Sequence, residues 1–139
     1  MEFMNIGQLV FDENMEMYVD IELGRVRLVL SDGLYAYEEE LTDVYKEKIV
    51  AFLDRPSIST WYKKAVQAIM DRGKQVYGIE TMEKDLKLQS IFILFEQNEA
   101  PLFGLGFRTE FDIEHGCGLK ISGEDFEVRE VGTADVAFC

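Results

Sequence analysis

The apolar residues of this 139-residue chain recur at every second position in two separate blocks, and between those blocks they recur every three to four. A period of two belongs to a half-buried strand and a period near 3.6 to an amphipathic helix, so a helical segment must lie between two groups of strands. Met17, Val19, Ile21 and Leu23 alternate with Tyr18, Asp20 and Glu22. Val26, Leu28 and Leu30 resume the alternation after Gly24, with Arg25 and Arg27 on the other face. Residues 15–30 therefore read as a β-hairpin, followed by a turn at Ser31-Asp32-Gly33 and preceded by a strand at Leu9 and Phe11.

Leu41, Val44, Tyr45, Ile49, Phe52 and Leu53 form the stripe of a first helix. Glu38, Glu39 and Glu40 lie at its start, where carboxylates meet the positive end of the helix dipole. Arg55-Pro56 predicts its end, because the residue before a proline is pushed out of the α region. Trp61, Tyr62, Ala65, Val66 and Ile69 predict a second helix, capped by Ser57 or Ser59 and stopped at Arg72-Gly73. The short link makes the two an antiparallel helical hairpin. Residues 74–85 read as a loop with a brief strand near Tyr77.

Strands then return. In residues 88–95, Ile91, Ile93 and Phe95 oppose Phe92 and Leu94, and apolar residues on both faces mark a central strand. Phe103, Leu105, Phe107, Thr109 and Phe111 alternate with Gly104, Gly106, Arg108 and Glu110, and the glycines predict that something packs closely on their face. Leu119 and Ile121 pair with Phe126 and Val128 around Ser122-Gly123-Glu124-Asp125, and residues 136–138 read as a last short strand. The order βββ-αα-ββββ predicts one α+β domain over residues 1–139. Its sheet is a largely antiparallel one of about six to seven strands with a two-helix hairpin packed on one face.

Charge narrows the function. The 27 acidic side chains against 14 basic ones give −13 at pH 7. That balance excludes unaided, sequence-independent binding to nucleic acid or anionic lipid, which needs clustered Lys and Arg. No apolar run of about 18 residues predicts a membrane span, and Met1-Glu2-Phe3-Met4-Asn5 lacks the pattern of a secretory signal, so a soluble cytoplasmic protein is expected. The charge is regional. Residues 2–24 hold six acids and no base, and residues 96–139 hold ten acids against Arg108, Lys120 and Arg129. In residues 55–74 the sign reverses, with Arg55, Lys63, Lys64, Arg72 and Lys74 against Asp71 alone. Lys63 and Lys64 are expected to pair with glutamates of the first helix.

Signals for chemistry are few. Cys117 and Cys139 form no Cys-x-x-Cys pair and are expected to be reduced, Cys117 as filler between Gly116 and Gly118. Gly104-x-Gly106 is followed by no helix, so it is no dinucleotide fingerprint, and no cofactor is expected. Asp112, Glu114 and His115 form the one compact cluster with ligand chemistry. Their types suit a divalent metal, yet adjacent residues of an extended chain point to opposite sides. The competing reading is a turn in which Asp112 accepts from backbone amides and Gly116 takes a positive φ.

The run Phe111-Asp112-Ile113-Glu114-His115-Gly116-Cys117-Gly118-Leu119, with the later Glu130-Val131-Gly132-Thr133-Ala134-Asp135-Val136-Ala137-Phe138, resembles a group of small bacterial domains of unknown function. In that group a D-x-E-H-G element precedes a strand and a V-G-x-A-D-V-A-F ending closes the fold. The likeness covers about the last 30 residues. Such domains are often encoded near polymorphic toxins, so the resemblance implies an immunity-type or other protein-binding role and no catalytic residue. It also implies a turn lock, with Asp112 capping the turn, Gly116 left-handed and His115 bridging to the C-terminal strand near Asp135.

The expected function is therefore a non-enzymatic domain for a basic protein partner. Glu110, Asp112, Glu114, Glu124, Asp125 and Glu127 on the sheet side would enter the partner's cationic site, with exposed aromatics as anchors. Two alternatives stand beside it: a metal-dependent or small hydrolytic enzyme centred on Asp112, Glu114 and His115, and a structural homodimer built on an exposed sheet edge.

Overall fold

A computed structural model of the chain describes residues 5–138; the N-terminal residues 1–4 and the thiol of Cys139 lie outside the described residues. Among the described residues six strands form one sheet in sequential order: β1 (Glu16–Ile21), β2 (Gly24–Leu30), β3 (Leu86–Ile93), β4 (Leu102–Thr109), β5 (Cys117–Ser122) and β6 (Val128–Gly132). Helices α1 (Asp43–Phe52) and α2 (Arg55–Tyr77) lie between β2 and β3. The class is α+β as expected, but the order is ββ-αα-ββββ and the sheet is mixed. β2 and β3 run parallel while the other neighbours are antiparallel. Alternation of side chains is the same in both kinds of ladder, so it could not reveal direction; the helical crossover is what allows the parallel pair.

Two expected strands are absent from the sheet. Leu9 and Phe11 follow a short 3-10 turn, Ile6–Gln8, and pair with no strand. Residues 136–137 fall in another such turn, Ala134–Ala137, and Phe138 follows it.

The helix boundaries also differ from the predicted ones. Thr42 caps α1, its side chain accepting from the Tyr45 amide, and Asp43 is the acidic residue of the first turn. Glu38 ends a 3-10 turn, Tyr35–Glu38, ahead of the helix. Arg55-Pro56 begins α2 rather than ending α1: Asp54 accepts from the Ser57 amide and proline occupies the first turn, where its missing N–H costs nothing. Gly73 is buried inside α2, where a Cβ would come within 3.0 Å of Thr81 Oγ1 and 3.2 Å of the Phe111 ring. The helix stops at Gly78, whose left-handed φ of 67° supplies the C-cap, so the strand expected near Tyr77 is the helix end.

One face of the sheet carries the core. Leu28, Ile91, Leu105 and Leu119 form one continuous row across β2 to β5 and are fully buried. Phe52 of α1 stacks between Trp61 of α2 and Phe103 of β4, at centroid distances of 4.6 and 3.9 Å. The polar tips of the two fully buried amphipathic aromatics are satisfied, since Trp61 Nε1 donates to the Phe52 carbonyl at 2.8 Å and Tyr45 Oη to the Phe95 carbonyl at 2.6 Å. Among the described residues no helix is long and apolar enough to cross a membrane.

The glycine face behaves as its composition predicted. The turn Ala134–Ala137 folds back across β4 and β5, so close that a Cβ on Gly104 would lie 1.7 Å from the Ala137 carbonyl oxygen. A Cβ on Gly118 would meet the Ala134 oxygen at 2.8 Å. Side chains at these two positions would keep the C-terminal segment off the sheet.

Candidate functional site

Asp112 sits in the β4–β5 loop, and its carboxylate is engaged on both oxygens. Oδ2 accepts from Tyr77 Oη at 2.6 Å, and Oδ1 lies 3.0 Å from both the His115 amide nitrogen and His115 Nδ1. The Tyr77 hydroxyl first, and the His115 amide after it, hold the Asp112 carboxyl below the usual carboxylate range. The same bond from the other side raises Tyr77 above the usual phenol value. Gly116 closes the turn at φ 67°, its amide donating to the Asp112 carbonyl at 2.8 Å. The bridge to the C-terminal segment runs through the backbone, from the Ala134 amide to the His115 carbonyl at 3.2 Å.

Glu114 makes no hydrogen bond or ion pair among the described residues, and no group of three His, Cys, Asp or Glu side chains there is placed to hold a metal ion. Cys117 is buried on the helix side of β5, opposite Phe107, and burial pushes its thiol up to about 11.

The six carboxylates singled out in the sequence do not form one surface. Glu110, Asp112 and Glu114 lie in the loop before β5; Glu124, Asp125 and Glu127 lie in the loop after it. A six-residue strand separates the groups by about 20 Å. Asp125 is held by the Glu127 amide at 2.9 Å and by Arg129 at 3.0 Å; the first of these, with Arg129 assisting, lowers its carboxyl below the usual range. Glu127 pairs with Lys64 at 3.3 Å. Lys64 thus reaches the β5–β6 loop rather than the first helix, and the basic helix is further offset by the Arg55–Glu22 and Lys74–Glu80 pairs.

Acids that do converge come from segments far apart in sequence. The Glu96 carboxylate accepts from the amides of Tyr35 and Ala36 at 2.9 and 3.0 Å. Gln97 accepts from the Thr42 amide and donates to Glu39 and to the Glu40 carbonyl. Glu38, Glu39, Glu40 and Asp43 therefore share one end of the molecule with Glu96 and Glu99. Burial first, then Glu96, Glu39 and Glu99, raises the Tyr45 hydroxyl beyond the usual phenol range. Tyr35 stands 83% exposed in this acidic ridge.

The sheet face away from the helices has the opposite character. Arg25, Arg27, Lys87, Arg108 and Lys120 project from it against Glu16, Asp20 and Glu130, because bases fill the positions that alternate with core residues. Arg25 lies over the Tyr18 ring at 5.0 Å and Arg27 over Phe92 at 5.9 Å. A cleft of about 420 Å³ opens here between the β4–β5 loop and Phe138. Gln89 is the extra residue of a bulge in β3, between Leu88 and Ser90. The bulge brings Gln89 and Ser90 to the same cleft, where regular alternation would have separated them.

Comparison of the chain with protein-family models, with curated proteins and with solved structures finds no match.

Proposed function

We infer that the chain is a non-enzymatic domain that binds a basic protein, in the manner of an immunity protein blocking a cationic toxin. The supporting observation is the acidic ridge, where Glu38, Glu39, Glu40 and Asp43 meet Glu96 and Glu99 around the exposed Tyr35. An aromatic anchor inside a predominantly acidic field, with Lys48 at its edge donating to the Glu99 carbonyl, is the chemistry of an electrostatically steered interface. The ridge suits this role better than either loop flanking β5, because it gathers six carboxylates around an exposed aromatic where each loop holds three.

Affinity capture on the full chain followed by a salt gradient tests the reading. The expected partner is basic and elutes below about 0.5 M salt. A bait with Glu38→Lys, Glu39→Lys and Glu40→Lys loses it, while one with Glu124→Lys and Glu127→Lys retains it. Acidic or salt-insensitive partners only, or retention by the first bait, overturns it.

One observation favours the enzymatic alternative: Asp112 holds His115 Nδ1 beside the cleft, as a carboxylate orients a general base. In that reading the ester-cleaving activity of the chain on a nitrophenyl ester panel disappears in His115→Ala; no activity in the parent chain rejects it.

A further inference from the structure

We propose that the cleft on the open sheet face is a binding site for a small oxyanion, a carboxylate or phosphate carried on an apolar body. Three independent features of the cleft converge on this chemistry.

The first is charge. Among the lining residues Arg27 and Arg108 face a single carboxylate, Glu114, although acids outnumber bases roughly two to one in the chain as a whole. Arg108 makes no ion pair or hydrogen bond among the described residues, and Arg27 is only loosely paired, at 3.5 Å, with the half-exposed Glu16. A guanidinium presents a planar fork of donors that matches carboxylate and phosphate oxygens.

The second is a pair of neutral polar side chains on the cleft. Ser90 is buried to 9% exposure, and its hydroxyl makes no hydrogen bond among the described residues. The bulge at Gln89 adds a side-chain amide beside it. A hydroxyl and a side-chain amide on a cleft can donate to a bound oxygen.

The third is shape. Phe92 and Phe138 pack together at 5.6 Å and give the cleft an apolar wall, and Gly106 leaves its floor open. The His115 ring lines the opposite side, held there by Asp112. This site lies on a different face from the acidic ridge and does not depend on the protein-binding reading.

Titration of the ¹⁵N-labelled full chain with benzoate, phenyl phosphate and neutral benzamide tests it. Benzoate or phenyl phosphate is expected to shift the Gly106 and Gly116 amides saturably, with a dissociation constant of about 1 mM or tighter. The tighter of the two identifies carboxylate or phosphate as the natural group, and benzamide gives no saturable shift. Arg108→Gln weakens the anion about tenfold, and Glu114→Gln tightens it severalfold. Gly106→Ala weakens it independently. Its Cβ would stand 3.6 Å from Phe92 and 3.8 Å from Ser90, so it fits the fold while filling the floor. The proposal is overturned if neither anion saturates by about 10 mM, if benzamide matches them, or if Arg108→Gln and Gly106→Ala both bind like the parent chain.

Discussion

Gly104→Ala should be among the most damaging single-methyl changes in this protein, and its neighbour Gly106→Ala among the most harmless. Both glycines lie on the same face of β4. At Gly104 the new Cβ would lie 1.7 Å from the Ala137 oxygen and 2.6 Å from its carbonyl carbon, where ordinary contact begins near 3.4 Å. A backbone carbonyl cannot swing aside as a side chain can. Either the C-terminal segment strains to fit, at about 1–3 kcal/mol, or it detaches. Detachment forfeits the Ala134–His115 backbone bond, about 1 kcal/mol, together with the burial of Ala137 and the contact of Phe138 with Phe92, about 1–2 kcal/mol more. The lower route sets the cost and detachment caps it, so the expected loss is about 1–3 kcal/mol. At Gly106 nothing lies closer than 3.6 Å, and restricting the unfolded chain offsets any small misfit, so the change stays within about 0.5 kcal/mol. Urea unfolding followed by Trp61 fluorescence measures both, since that ring is fully buried against Phe52. The Gly104→Ala midpoint should fall by about 0.5–2 M relative to Gly106→Ala. Equal midpoints would refute the claim that the C-terminal segment is clamped onto the glycine face.

Three further changes probe the core and the turn. Tyr45→Phe leaves the buried Phe95 carbonyl without its donor and should cost about 1–3 kcal/mol in the same assay; a loss below about 0.5 kcal/mol would mean water replaces the hydroxyl. Asp112→Asn should lower stability at neutral pH. Because the folded carboxyl titrates below its ordinary value of 3.8, its stabilisation is complete above that value and is lost as pH falls through the lower folded one. The gap in urea midpoint between parent and variant should therefore close in strong acid, and a gap constant with pH would reject the charged turn lock. In a Cys139→Ser background, Cys117 should resist a thiol-exchange reagent at pH 8 until the chain unfolds, its thiol being pushed up to about 11 by burial. Prompt stoichiometric reaction with the native protein would contradict that burial.

How far the sequence could be read depended on whether each signal was local. Period-two alternation at Val26, Leu28 and Leu30 placed β2 correctly, and Gly104 and Gly106 announced a close approach, because side-chain direction in a strand follows from position alone. What approaches was illegible: residues 136–138 alternate like a strand, but the closeness of Gly104 and Gly118 to the returning chain favours a tight turn laid flat upon them. Pro56 and Gly73 each had two meanings. Proline both follows a helix and opens one, and Asp54 just before it was the capping cue for the second. Gly73 was a packing glycine against Phe111, while the terminator was Gly78. The turn at Asp112, Gly116 and His115 was recoverable because its partners lie within four residues, although Tyr77, 35 positions away, was not. The acidic ridge needed Glu96 beside Tyr35 across 61 positions, which no pattern along the chain encodes.

Net charge was the least transferable of these signals, and the reason is geometric. Charged residues in a half-buried strand can only point to the open face, so the sign of that face is set by the few residues alternating with the core. Here those are mostly Arg and Lys, while the excess acid sits in turns, loops and the approach to α1. At physiological salt a charge is felt over about 8 Å. A ligand in the cleft therefore meets Arg27 and Arg108 against Glu114 rather than the −13 of the whole chain. A partner at Tyr35 meets the carboxylates of Glu39 and Glu96. On the readings proposed above the two surfaces would select ligands of opposite sign, and raising the salt should weaken binding at both, because each attraction is local.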